Sequence, residues 1–284
     1  MLAFPSFPCR PMAAATLALL ALCGCDTEPS PPASPTPAPV VAPPPPQLST
    51  PELEAAVPDA QLVPSPAETV KALENAGIAN AIAIPTRAMD MKAANKDVVA
   101  VRTGVALADC LLTVKDAPKD KLVERLTLVQ SGMSALDAGP NVDSLLVDLI
   151  ARVKNDSSTR EDLLKDLDEM HGNILPEIKF QTGGERFIPL IQAGSWLEGS
   201  NVLSQAILAA NKPDVGTQLL RQPAVVYYFL GYLQSEGADK APGNVLGALK
   251  ESLTRLQAIA SKPALTAADV SDVQAETNAV LTLL

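Results

Sequence analysis

The chain has 284 residues, with 22 Lys and Arg against 32 Asp and Glu and a formal net charge of −10. A chain of that charge is repelled by nucleic acid and by anionic lipid headgroups, and no cluster of Lys and Arg offsets the repulsion, so nucleic acid is not an expected partner. One histidine and four cysteines form no convincing metal set, and neither a metal nor another cofactor is expected.

In chain order, one positive charge, Arg10, comes first, and an apolar run from Met12 to Leu22 follows. A run of about 11 residues is too short to span a bilayer as a helix, which needs roughly 20. It closes on Leu22-Cys23-Gly24-Cys25. These residues resemble the signal peptide of bacterial lipoproteins, whose lipobox has an aliphatic residue three before the acylated cysteine and a small residue just before it. Leu22 and Gly24 fill those places for Cys25, whereas bulky Leu22 precedes Cys23. The resemblance covers residues 1–25 only. It implies removal of residues 1–24, lipid attachment at Cys25, and a chain held at the membrane of a bacterial envelope, facing the periplasm. Asp26 follows the lipidated position, but the sorting rule attached to it varies between lineages, so inner and outer membrane both stay open. Two or three acyl chains of palmitate length hold a protein stably, where one holds it marginally. Loss of residues 1–24 removes Arg10, Cys9 and Cys23 and leaves a net charge of −11. Cys110 is then the one unmodified thiol, so no intramolecular disulfide is expected.

Residues 25–66 read as a tether. There are 14 prolines between Asp26 and Pro66, including the run Pro43 to Pro46. Proline fixes φ and lacks an N–H, so this stretch is expected to be disordered and extended, with a reach of roughly 100 Å. A short helix at Glu52–Val57 would interrupt it. Its PxxP-like spacings fit either a spacer or a ligand for aromatic grooves.

From residue 67 to 284 the pattern is helical throughout, which predicts an all-α, multi-helix bundle of eight or nine helices. The predicted helices lie near 67–76, 87–114, 118–137, 142–154, 159–180, 185–211, 214–236, 242–261 and 267–283. Ser65 to Glu68, Ser158 to Glu161 and Thr266 to Asp269 have the capping-box form or an acidic variant. Asn141 and Asp214 are read as N-caps beside prolines, Pro118 and Pro242 as first-turn prolines, and Gly77, Gly139 and Gly237 as stops. His171-Gly172 and Pro176 are expected to bend or break the fifth helix, and Pro223 to kink the seventh. After the first helix the rest divides into two sets of four, 87–180 and 185–284. A long helix opens each set and passes a glycine, Gly104 or Gly199, so two stacked four-helix units are one arrangement the pattern admits.

Polar groups on apolar faces mark the candidate site. On the helix from 87, Arg102 and Asp109 project within about 40° of Val98, on the stripe of Val98, Val101, Val105, Ala108 and Leu112. On the helix from 185, Glu198, Asn201 and Gln205 share a face with Leu190, Ile191, Gly194 and Val202. Trp196, Leu203 and Ile207 form a second apolar stripe, which places that helix at the centre. A buried carboxylate needs a partner, so the pattern predicts a polar seam in which Arg102 meets Glu198, with Asp109, Asn201 and Gln205 nearby. The seam reads either as a ligand site inside a bundle or as an ion pair that fixes register. Val225 to Tyr232 concentrates aromatics, and Tyr228 is a candidate wall of the same pocket or part of a deeply buried helix.

Other residues carry less. His171 has only Asp168 and Glu169 beside it. Cys110 follows Asp109, which raises a thiol pKa, and reads as a small core residue. Gly183-Gly184-Glu185 lacks the lysine and strand of a phosphate loop. With no nucleophile and base at a usable spacing, the chain is not expected to be an enzyme. The expected function is that of a lipid-anchored envelope protein whose helical domain touches an envelope protein partner or has a structural role. The alternative is a small-molecule-binding or sensing bundle.

Overall fold

The computed structural model describes residues 63–78, 88–169, 186–235 and 244–284. Cys25, the residues read as signal and tether up to 62, His171, Gly172, Pro176, Gly183, Gly184, Gly237 and Pro242 lie outside them. Every regular element in the described residues is a helix: the protein is all-α. In chain order the helices are α1 (Pro66–Asn75), α2 (Lys96–Thr113), α3 (Lys119–Ala135), α4 (Pro140–Lys154) and α5 (160–169). They continue with α6 (Phe187–Ala209), α7 (Pro213–Leu219), α8 (Pro223–Ser235), α9 (Asn244–Ala260) and α10 (Ala267–Leu281).

Local chemistry sets these boundaries. The capping boxes at Ser65/Glu68 and Thr266/Asp269 form in both directions, side chain to backbone and back. The box expected at Ser158 forms one residue later, where Thr159 and Asp162 bond reciprocally. α2 begins at 96 rather than 87, because the Asn95 side chain accepts from the Asp97 N–H and caps it there. Asn141 and Asp214 are not N-caps. Pro140 and Pro213 take the first helical position and Gly139 and Lys212 the caps, since a proline N has no hydrogen for the helix to leave unsatisfied. Gly139 is therefore a start rather than a stop; its φ of 91° suits glycine, and Asp137 at φ 58° turns the chain after α3. Pro118 is likewise the cap of α3, one place before the first turn. Pro223 does not kink a long helix but divides it, ending one piece by 219 and opening the next, because the residue before a proline is disfavoured in the α region.

Helices α2 and α6 form the most extensive helix pair. They run parallel, since Asp97 meets Arg186, Gly104 meets Ile191 and Ser195, and Ala108 and Leu112 cluster with Val202. At the crossing the two backbones touch. A Cβ on Gly104 would lie 1.9 Å from the Ile191 carbonyl oxygen, and one on Gly194 would lie 2.1 Å from the Val101 carbonyl oxygen. Only glycine permits that approach, and the Ser195 hydroxyl locks it by donating to the Gly104 carbonyl at 2.8 Å. Long apolar side chains fill the spaces around the crossing, Leu107, Leu111, Ile191 and Leu197 among them, all at most 1% exposed.

Each central helix carries its own flank. α3 packs antiparallel on α2, with Thr113 opposite Arg125 and Thr103 opposite Gly132, and α4 packs on α3. α10 packs on α6, α9 on α10, and α8 on both α9 and α6. α1 bridges α2 and α6, with Val70 seated against Ala108, Leu112 and Val202. The Lys212 ammonium donates to the carbonyls of Ala76 and Gly77 past its end, at 2.9 and 3.2 Å. The two sets of helices seen in the sequence thus flank the α2–α6 pair, yet all the described helices belong to one compact unit.

Candidate functional site

The six internal residues singled out in the sequence fall in four places. Arg102 points away from α6. Its Nη1 donates to the Asp90 carbonyl at 2.6 Å and fixes the 88–90 segment against α2. Glu198 is fully buried on the face of α6 that carries Ile191 and Ser195, both at the α2 crossing. Asn201 and Gln205 do come together. Gln205 Nε2 donates to Asn201 Oδ1 at 2.6 Å, and Asn201 Nδ2 donates to the Gln274 carbonyl at 3.1 Å and Thr277 Oγ1 at 3.0 Å. This network joins α6 to α10 and does not face α2. Tyr228 is 8% exposed, packs at 5.3 Å on Phe229, and its hydroxyl donates to Gln192 Oε1 at 3.3 Å.

The single seam expected from the helical wheels is therefore corrected. Its error was to treat α2 as a helix with one apolar face. Fifteen of its 18 residues are buried, so the face holding Arg102 and Asp109 points to α3 and the 88–90 segment rather than to α6.

That face opens into a cleft of about 450 Å³ lined by Met89, Asp90, Ala106, Asp109, Arg125 and Leu128, with Ala88, Glu124, Thr127 and Ser131 completing it. Ala106 and Asp109 come from α2 one turn apart; Glu124, Arg125, Thr127, Leu128 and Ser131 come from α3. Asp109 and Arg125 are 3% and 6% exposed. Arg125 Nη1 donates to Thr113 Oγ1 at 3.2 Å, and that hydroxyl donates to the Asp109 carbonyl at 2.5 Å, so both charges sit beside the last turns of α2. At the rim Lys121 pairs with Glu124 at 2.9 Å, which raises the ammonium pKa. The Thr127 and Ser131 hydroxyls donate to carbonyls of their own helix, Val123 and Thr127.

No family model, curated protein or solved structure matches the chain.

Arg125 was not singled out in the sequence, although the same test finds it. It lies on the stripe Leu122, Leu126, Val129 and Met133 of α3, all at most 1% exposed, which is where a charge needs an explanation. Cys110, next to Asp109, is fully buried; burial first and the Asp109 carboxylate second push its thiol well above the usual range. Such a thiol stays protonated and unreactive. The tyrosine helix α8 runs antiparallel to α6, with Trp196 against Phe229 at 5.7 Å and the Trp196 indole N–H donating to Gln222 Oε1 at 2.7 Å. The Tyr232 hydroxyl donates to the Arg186 carbonyl. Among the described residues no group of three or more His, Cys, Asp and Glu is placed to hold a metal ion. No described helix is long and apolar enough to cross a membrane.

Proposed function

We propose that the protein is a lipid-anchored component of a bacterial envelope, with Cys25 as the attachment point and a non-catalytic helical domain for protein interaction or a structural role. The observation that carries this reading is the order of features: Arg10, the apolar run Met12 to Leu22, Leu22-Cys23-Gly24-Cys25, then 13 prolines before the first described helix. The lipid holds the chain, the proline-rich stretch gives it reach, and the helical unit meets a partner in the periplasm. An acidic domain stays off an anionic bilayer surface by itself, which suits attachment through a spacer. Metabolic labelling with an alkyne analogue of palmitate tests this. The full-length protein takes up label in its native bacterium, and Cys25→Ser takes up none. Label retained by Cys25→Ser, or no label in either, removes the anchor.

A second reading, a small-molecule-binding bundle, is supported by the cleft beside Asp109 and Arg125, whose volume falls in the range of ligand sites. The tyrosine helix is not part of that cleft.

A further inference from the structure

We infer that Met89 and Met91 form a redox catch: a peroxide that converts their thioethers to sulfoxides releases the 88–92 segment from α2 and α3, and thiol-dependent reduction sets it back. The inference is independent of the lipid anchor and of the ligand reading of the cleft.

The segment is held in an unusual way. Residues 88–95 form no helix or strand, and the first five alternate between water and core. Ala88, Asp90 and Lys92 are exposed, whereas Met89 and Met91 are 6% and 4% exposed and belong to the main core. Among the described residues no backbone–backbone hydrogen bond joins 88–94 to another element. The Arg102 guanidinium holds the Asp90 carbonyl at 2.6 Å, and the Lys92 N–H donates to Asp90 Oδ1 at 2.8 Å within the segment itself. Two thioether pegs, the half-buried Ala93 and one guanidinium therefore fasten it. Methionine suits such a peg, because its unbranched side chain fits an irregular gap.

The same residue type makes the fastening reversible. Met89 lines the cleft of about 450 Å³ beside Ala106 and Leu128, which gives hydrogen peroxide a route to its side chain. The methionine sulfur attacks one peroxide oxygen. An S–O bond forms as the O–O bond breaks, and the departing hydroxide takes the proton of the transferred oxygen and leaves as water. Sulfur loses two electrons and the peroxide gains them. A methionine sulfoxide reductase reverses the step, returning the oxygen as water and oxidising two thiols to a disulfide. The sulfoxide oxygen is a strong acceptor where the thioether was apolar, and an acceptor buried without a donor is destabilising. The cleft is poor in donors for it. Its carboxylates only accept, and the Thr127 and Ser131 hydroxyls donate to carbonyls of their own helix. Water outside satisfies the oxygen, so the oxidised peg turns out and the segment goes with it.

The test treats the full chain in detergent micelles with hydrogen peroxide and follows Met89 and Met91 by peptide mass spectrometry. Tryptic cleavage after Lys92, an exposed site inside the segment, then reports release. Sulfoxide at the two residues is expected to speed that cleavage at least about tenfold, with the helical circular dichroism retained. Methionine sulfoxide reductases of both epimer specificities restore the slow rate. Met89→Leu/Met91→Leu keeps apolar pegs, leaves the other methionines in place, and is cleaved slowly with or without peroxide. Met89→Gln/Met91→Gln is cleaved fast without peroxide; should it fail to fold, the leucine pair and the reductase reversal decide. Thioethers left intact by peroxide, unchanged cleavage of the oxidised chain, cleavage as fast in the leucine variant, or loss of the helical signal along with cleavage overturns the inference.

Discussion

Helix α2 has two unlike sides. Toward α6 it meets another backbone: Gly104 and Gly194 remove the side chains from the crossing, and Ser195 closes it with a hydrogen bond. Toward α3 it meets charged side chains, and at Ala106 and Asp109 it leaves a cleft. One helix therefore serves as a rigid axis on one side and as the wall of a polar recess on the other. The close crossing fixes where Asp109 stands, because α2 cannot slide or roll against α6 without driving atoms together. A recess built from charges needs such a fixed wall, since buried charges tolerate misplacement poorly.

The sharpest way to break this contrast is at the crossing. Gly104→Ala places a Cβ 1.9 Å from a backbone oxygen of Ile191, and no rotamer change relieves a backbone clash. The expected loss in urea denaturation is at least about 3 kcal/mol; a midpoint near that of the wild type would show that the helices do not touch there. On the other side of α2, Gly132→Ala meets the Thr103 hydroxyl at 2.2 Å. That obstacle is a side chain, so about 1–3 kcal/mol is expected. Combining it with Thr103→Ala should cost less than the sum of the two singles, because the second change removes the atoms hit by the first. Asn201→Ala removes the donor to Gln274 and Thr277 and should cost about 1–3 kcal/mol in the same denaturation.

Two smaller effects sharpen the comparison. The pH dependence should report the start of α10. The Lys262 ammonium, then the Thr266 backbone and hydroxyl, hold the Asp269 carboxyl down to about 2 from the ordinary 3.8. Its folded pKa is depressed, so its contribution to stability is present above pH 3.8 and is lost as pH falls toward 2. Lys262→Met should raise the Asp269 pKa in an NMR titration and flatten the stability slope in that window; an unchanged slope would place the pH sensitivity elsewhere. Smallest of all, Ser131→Trp on the exposed rim should change stability by no more than about 0.5 kcal/mol.

Much of the fold can be read in the sequence where local chemistry acts alone. Ser65/Glu68 and Thr266/Asp269 cap their helices as their spacing requires, and the central, doubly apolar character of α6 is plain from Trp196, Leu203 and Ile207 opposite Leu190 and Ile191. What the sequence conceals is set by neighbours. The wheel of α2 places Arg102 and Asp109 near its apolar stripe, but only packing decides what each edge of that stripe meets. The stripe itself meets α6 at Val101 and Ala108, while the edge that carries the charges turns to α3 and the 88–90 segment, where Asp109 lines the cleft with Arg125 and Arg102 goes to the Asp90 carbonyl. The sequence places Asn201 and Gln205 on one face with Glu198, toward a seam with α2, and their true partner, α10, cannot be chosen from a pattern in which several helices share the same period. Pro140, Pro213 and Pro223 show a subtler limit. Each was seen as punctuation, yet whether a proline caps, kinks or opens a helix depends on which neighbour takes the cap.

The shielded sulfur of Cys110 has a practical use. It lies in the last turn of α2, where burial holds it as an inert thiol. A maleimide should leave it unlabelled while α2 stays packed and should tag it whenever that helix opens. The timing of that tag would act as a clock for the loosening of the molecule's axis, with no mutation added.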